Sequence, residues 1–213
     1  MDAKEYNKKK QEDGLFTDDH IVELVRQYQE KAGLDIDGKF GPITRSSLED
    51  HMFEGADLGL AALEVAIEEI GLGEEGGNNS GPHVAKYKLQ EDDGPDDDGA
   101  WCAAFISWCI EEACRRLGVE MPFKRSQGAK RLFKNAGNAG SFTSTPRPGD
   151  LICWDRGTPG SWQGHIGIVE KIDGSIVHTV EGNVGRYPSV VRRFMHDLDR
   201  QSRLEGFARL PGV

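Results

Sequence analysis

The apolar positions follow two different rhythms along the chain. Ile21, Leu24, Val25 and Tyr28 recur at helical spacing behind Thr17 or Asp18 as N-cap, and Gly33 can end that helix. DIDGKFGP then reads as a glycine-rich turn, and TRSSLEDH as the start of another helix. Leu63, Ala66, Ile67 and Ile70 share one face of a helix predicted to run from Ala56 or Asp57 to Ile70. The stretch GLGEEGGNNSGPHVAKYKLQEDDGPDDDGAW is irregular, interrupted at most by a short helix from about Val84 to Leu89. In CAAFISWCIEEACRRLG, Ile106, Cys109, Ile110, Ala113 and Leu117 form one stripe; Arg115 and Arg116 suit its last turn, and Gly118 its C′ position.

Past the PRPGD turn the rhythm changes. DLICWD, HIGIVEKI, SIVHTVEG, VVRRFMH and LEGFARL read as short strands separated by turn residues. Helices followed by an antiparallel sheet is the α+β pattern. The chain therefore divides into a solvated tail over residues 1–13, a small helical unit over 14–52, and a larger α+β domain over 57–213.

At 37% hydrophobic residues the chain can bury a core. A net charge of -10 argues against a nucleic-acid partner, which would need concentrated Lys and Arg, and removes easy electrostatic attraction to an anionic surface. No apolar run is long enough for membrane insertion, and the charged MDAKEYNKKKQEDG has no h-region, so a Sec signal is not expected. Cys102, Cys109, Cys114 and Cys153 have neither disulfide-framework nor CxxC spacing, so each defaults to a free thiol.

Cys102 stands out because it opens the strongest helix. The free amides and partial positive charge of a helix N-terminus stabilise a thiolate, and the same amides can hold an oxyanion. The bland alternative is a small buried residue. A thiol nucleophile needs a base from another element; His165, flanked by Gly164 and Gly167 at the start of HIGIVEKI, fits. His165 and Gly167 share a strand face, and the missing side chain there is expected to let the Cys102 helix approach. Glu181 and Asn183, two apart at the end of the next strand, can each orient the imidazole; His178 falls on the opposite face and reads as packing. Taken singly, a strand histidine and a strand-end carboxylate are ordinary structural residues. Their order behind a helix-opening cysteine is what points to chemistry.

At these residues the chain resembles the CHAP family, cysteine, histidine-dependent amidohydrolases/peptidases related to NlpC-type wall peptidases. The matching stretches are DGAWCAAFISW, RPGDLICWD, QGHIGIVEKI and VEGN, with ALEVAIEEIG and GGNNSGPHVAKY before them. The resemblance implies a papain-like fold, with helices packed on a C-terminal antiparallel sheet, and a peptidoglycan hydrolase cutting an amide bond. It implies Cys102 as nucleophile, His165 as base, and Glu181 with Asn183 as orienting groups. VRQYQEKAGLDIDGKFGPITRSSLE resembles the second half of a peptidoglycan-binding helical repeat whose first half is not recognisable. The implied bond is muramoyl–alanine or lies within the stem or cross-link peptide. The implied setting is a phage endolysin or wall-lytic effector, made in the cytoplasm and acting on the wall after release, as a monomer with peptidoglycan as its partner.

Trp101, Trp162, Asn78 and Asn79 are candidate substrate contacts, the asparagines also as oxyanion donors. Asp96, Asp97 and Asp98 in EDDGPDDDG could hold Ca²⁺, although the order of an EF-hand is absent and acidic loops are usually just solvated. No other cofactor is expected: zinc lacks ligand spacing, DIDG is a turn, and GLGEEGG follows a helix and lacks GK[ST]. Two other readings share these features, a noncatalytic peptidoglycan-binding protein and a papain-like cysteine peptidase acting on proteins.

Overall fold

A computed structural model describes residues 17–45, 47, 57–88, 99–158 and 160–213. The chain forms two compact units, Met1–Gly55 and Ala56–Val213. In the first, α1 spans Asp18–Lys31, with Thr17 as N-cap. The Thr17 hydroxyl accepts from the His20 N–H and the His20 ring accepts from the Thr17 N–H, a capping box with histidine in the usual glutamate position. Residues 42–45 are again helical. The face of α1 that is buried differs from the apolar stripe, since Ile21 and Leu24 are exposed while Val25 and Gln29 are buried. The reason is polar. Gln29 donates to Asp37 Oδ1 (2.9 Å) and Thr44 Oγ1 (3.0 Å) and accepts from the Gly38 N–H (2.8 Å), so one buried amide fixes the DIDGKFGPIT turn.

The second unit begins with α2, Leu58–Glu68, capped by Asp57, whose carboxylate accepts from the Leu60 N–H at 3.1 Å. A short α3, Pro82–Lys88, lies inside the irregular stretch. The long α4, Cys102–Leu117, buries Phe105, Ile106, Cys109, Ile110 and Ala113 and stops at left-handed Gly118. A further helix, α5 at Ala129–Ala139, was not indicated by the sequence pattern. Its N-cap, Gly128, supplies no side-chain bond, and Asn135, Gly137 and Asn138 dilute its helical signal.

Six strands complete the unit: β1 Ser141–Thr143, β2 Leu151–Asp155, β3 Gly164–Asp173, β4 Ile176–Glu181, β5 Arg192–Asp197 and β6 Leu204–Arg209. They form one antiparallel sheet in the order β1-β6-β2-β3-β4-β5. This is the expected α+β arrangement, helices before an antiparallel sheet, and it is consistent with a papain-like fold. Period-two alternation divides the sheet residues between two faces. Leu151, Cys153, Ile166, Ile168, Val180 and Ala208 join the core built with the helices. Ile152, Trp154, Val169, Val177 and Phe207 form a second, smaller cluster on the other face.

One close approach fixes how α2 meets the turn before β2. Gly149 has φ +89, and a Cβ there would lie 2.5 Å from the Gly59 carbonyl carbon. We expect Gly149→Ala to cost about 1–3 kcal/mol through strain and overlap. Gly174→Ala is the control, because φ is also positive (+61) but nothing lies within 4 Å of the added methyl. Thermal melts of the two variants check this; equal losses of Tm would contradict the packing account.

Candidate active site

A helix terminus and a strand of the sheet supply the site's two central groups. Cys102 is the first residue of α4, and its N-cap neighbour Trp101 makes no side-chain capping bond. The leading amides of the helix therefore have no side-chain acceptor, which suits them to an anion. His165 is the second residue of β3, opposite Trp154 in the β2 register, and their rings stack at 5.6 Å. The His165 Nε2 lies 2.7 Å from Glu181 Oε2 at the end of β4. That contact leaves Nδ1 as the nitrogen for the thiol.

Glu181 is 1% exposed, so its charge needs several donors. It has three: His165 on Oε2, and on Oε1 both the Thr179 hydroxyl (2.5 Å) and His196 Nε2 (2.6 Å). Because an ionised carboxylate only accepts, both histidines present N–H to it, which fixes their tautomers. Trp154 also packs on His196, with ring centroids 4.5 Å apart. Thr179, Glu181 and His196 share one face by the β4–β5 register, and Trp154, His165 and Gly167 share it by the β2–β3 register.

The electrostatics follow from this geometry. Burial alone raises the Glu181 pKa, but bonds from His165, His196 and Thr179 outweigh it and bring it down to about 2. Burial lowers the His165 pKa; Cys102 and then Glu181 oppose it and raise it to about 9. Burial raises the Cys102 pKa, yet the His165 charge and hydrogen bonding, the Arg156 charge and the Ile166 N–H pull it below the ordinary thiol value. Cys109, Cys114 and Cys153 are all raised, by burial first. Cys102 is thus the one cysteine poised as a thiolate facing an imidazolium.

The other candidates fare differently. Gly167 does not admit the Cys102 helix, which lies against the other face of the sheet; the space a Cβ would fill belongs to Glu181 Cγ, 2.6 Å away. The glycine instead clears the path by which Glu181 reaches His165. Asn183 lies beyond the end of β4 with φ +60, where strand alternation has ceased, and is not brought onto His165. Trp101 is fully buried, its indole N–H donating to Glu74 Oε1 at 3.2 Å, so it supports the site from beneath instead of lining a groove. Trp162 is 44% exposed on the loop before His165 and free to meet a ligand. Asn79 has φ +54, its N–H donates to Glu74 Oε1 at 2.9 Å, and its side chain abuts Gly99; Asn78 is exposed. Asp96, Asp97 and Asp98 lie outside the described residues, and among the described residues no His/Cys/Asp/Glu cluster could hold a metal.

Sequence reasoning missed three contributors. His196 becomes visible only once β5 is paired to β4 in register, whereas Thr179, two residues before Glu181, shares its face by strand alternation. Glu74 is a buried carboxylate that joins Asn79, Trp101 and the Ser189 N–H (2.7 Å), tying the segment before Cys102 to the loop after β4. Burial raises its pKa, but the Ser189, Asn79 and Trp101 donors outweigh that and lower it, leaving it ionised.

Residues 94–183 match the CHAP domain family model. Among solved structures, the crystal structure of Ly7917 with the hydrolyzing product of MDP is similar at 18% identity and a TM-score of 0.45, over 72% of this chain and 63% of that one. The crystal structure of Ly7917 is similar at 19% identity and a TM-score of 0.46, over 72% of this chain and 62% of that one. This chain therefore spans somewhat under two thirds of their length. No curated protein sequence matches.

Two outcomes test the network. Glu181 has a folded pKa (about 2) below its ordinary 4.5, so the stability it contributes is complete above about 4.5 and is lost as pH falls towards 2. Urea unfolding between pH 6 and 2.5 should show a shallower acid decline for Glu181→Gln than for the wild type; matching slopes would contradict the assignment. In Gly167→Ala the methyl displaces Glu181, and the His165 pKa measured by NMR should drop from about 9. An unchanged titration would show that Gly167 does not set that contact.

Proposed function

We propose, from the CHAP domain match over residues 94–183, that this chain is a peptidoglycan hydrolase cleaving an amide bond by thiol chemistry. The observation that carries the reading is the lowered Cys102 thiol facing an imidazole whose other nitrogen is held by an ionised, buried carboxylate. In this mechanism the Cys102 sulfur adds to the amide carbonyl, and the uncapped amides at the start of α4, that of Cys102 first, bind the resulting oxyanion. The imidazolium of His165 gives its proton to the departing amine as the C–N bond breaks, leaving a thioester. Neutral His165 then takes a proton from water, which attacks the thioester and releases the acid and the thiolate. Glu181 keeps the ring oriented and balances its charge throughout.

Trp162, exposed beside the base, is proposed as a groove contact, and Asn79, held against Gly99, as a side-chain donor near the carbonyl oxygen. The bond is either muramoyl–alanine or one within the stem or cross-link peptide. The proposed setting is lysis by a phage endolysin or a delivered effector, with the wall as its place of action.

Cys102→Ala should abolish solubilisation of purified peptidoglycan while shifting Tm by no more than a few degrees, since only a sulfur is removed. Mass spectrometry of the wild-type digest should show one new amine and one new carboxyl terminus per cut. Undiminished lysis by the variant would remove the thiol mechanism, and wall binding without any new termini would favour a noncatalytic role.

A further inference from the structure

Although the chain carries a net charge of -10, three arginines come together beside the site. A cavity of about 420 Å³ opens against His165 and is lined by Arg156, Arg200, Arg203, His196 and Trp154 among others. The two carboxylates in its wall are already engaged. Asp155 pairs with Lys130 and, at 3.4 Å, with Arg203, and Glu181 is taken by the two histidines and Thr179. Arg203 also donates to the Gly157 carbonyl (2.5 Å), and Arg200, 85% exposed, rests on Asp197 at 3.3 Å.

Arg156 differs from both. Its backbone N–H donates to the Gln163 carbonyl, but its guanidinium makes no ion pair or hydrogen bond among the described residues. It lines the cavity against His165, and its charge helps lower the Cys102 thiol. A cavity with a spare guanidinium and further cations at its rim is complementary to a carboxylate, which guanidinium binds in a planar, two-point fashion.

We propose that this cavity is a subsite for a free carboxylate of the substrate's stem peptide, with Arg156 as its principal ion-pair partner. The inference rests on the hydrolase reading and adds a selectivity to it: stem peptides whose carboxyl near the scissile amide is ionised are cut faster than those in which it is amidated. Two carboxyls could fill the role, the α-carboxyl of the γ-linked glutamate and the C-terminal one, and blocking each in turn distinguishes them.

The test uses the full chain and synthetic muropeptides of one sequence, prepared with both carboxyls free, with either amidated, and with both amidated. The readout is kcat/KM by mass spectrometry, and thermal melts confirm that the variants fold. For the wild type, amidation of one of the two carboxyls should lower kcat/KM by roughly tenfold or more, as expected for losing a charge-assisted bond. In Arg156→Gln the ratio between free and amidated peptides should fall towards one, whatever the overall rate, and Arg156→Lys should keep part of it. Cleavage of all peptides at equal rates by the wild type, or an undiminished ratio in Arg156→Gln, overturns the subsite and leaves the hydrolase intact. Failure to cleave any peptide or intact peptidoglycan removes the hydrolase reading and the subsite with it.

Discussion

The site depends on keeping one carboxylate charged inside the protein. Glu181 is almost completely buried, and an isolated charge there would cost several kcal/mol. Three donors offset that cost, and supplying them dictates much of the local sequence. Thr179 must sit two residues earlier on the same strand, His196 must face it from β5, Gly167 must leave room on β3, and His165 must complete the set. A neutral amide at 181 could orient the imidazole, but it would remove one of the two groups, with Cys102, that raise the His165 pKa. The carboxylate therefore shapes the charge state of His165 as well as its direction.

The sheet separates two tasks. One face is consumed by packing against α4 and its neighbours, which holds the first turn of α4 rigidly in place. The other carries the polar network over a small cluster of Ile152, Trp154, Val169, Val177 and Phe207. Cys102 and His165 therefore come from structures with independent support, and their meeting depends on the packing of helix on sheet. Glu74 reinforces that meeting from a distance, because it bonds the indole of the residue preceding Cys102 and the backbone of the loop after Glu181. It is a positioning residue, with no contact to the sulfur or the imidazole.

Much of this was legible in the residues. Strand periodicity located β2 to β6 closely, and the helix-opening position of Cys102 and the glycine-flanked His165 were readable because each follows from local geometry. What stayed hidden depended on register or on polar burial. His196 lies one strand beyond Glu181, and nothing in RRFMHD reveals that its histidine points at a carboxylate until Val177 is paired with His196. Gly167 was read correctly as a close approach but assigned the wrong neighbour, since alternation alone does not say which side the helices cover. Trp101 looked like a groove residue by proximity to Cys102, whereas its own hydrogen bond turns it inward. In α1 a buried glutamine, not the apolar stripe, determines which face is covered. The helix α5 escaped notice because its capping residue is a glycine and its interior contains another.

The central claim is that the sulfur at the start of α4 exists as a thiolate because the adjoining imidazole carries the proton. Thiolate absorbance near 240 nm reports this without any substrate. The difference spectrum between wild type and Cys102→Ser, titrated from acid to alkali, should contain one thiolate appearing below the ordinary thiol range, and in His165→Ala that component should move upward. A difference signal that develops only at alkaline pH, alike with and without the imidazole, would contradict the account.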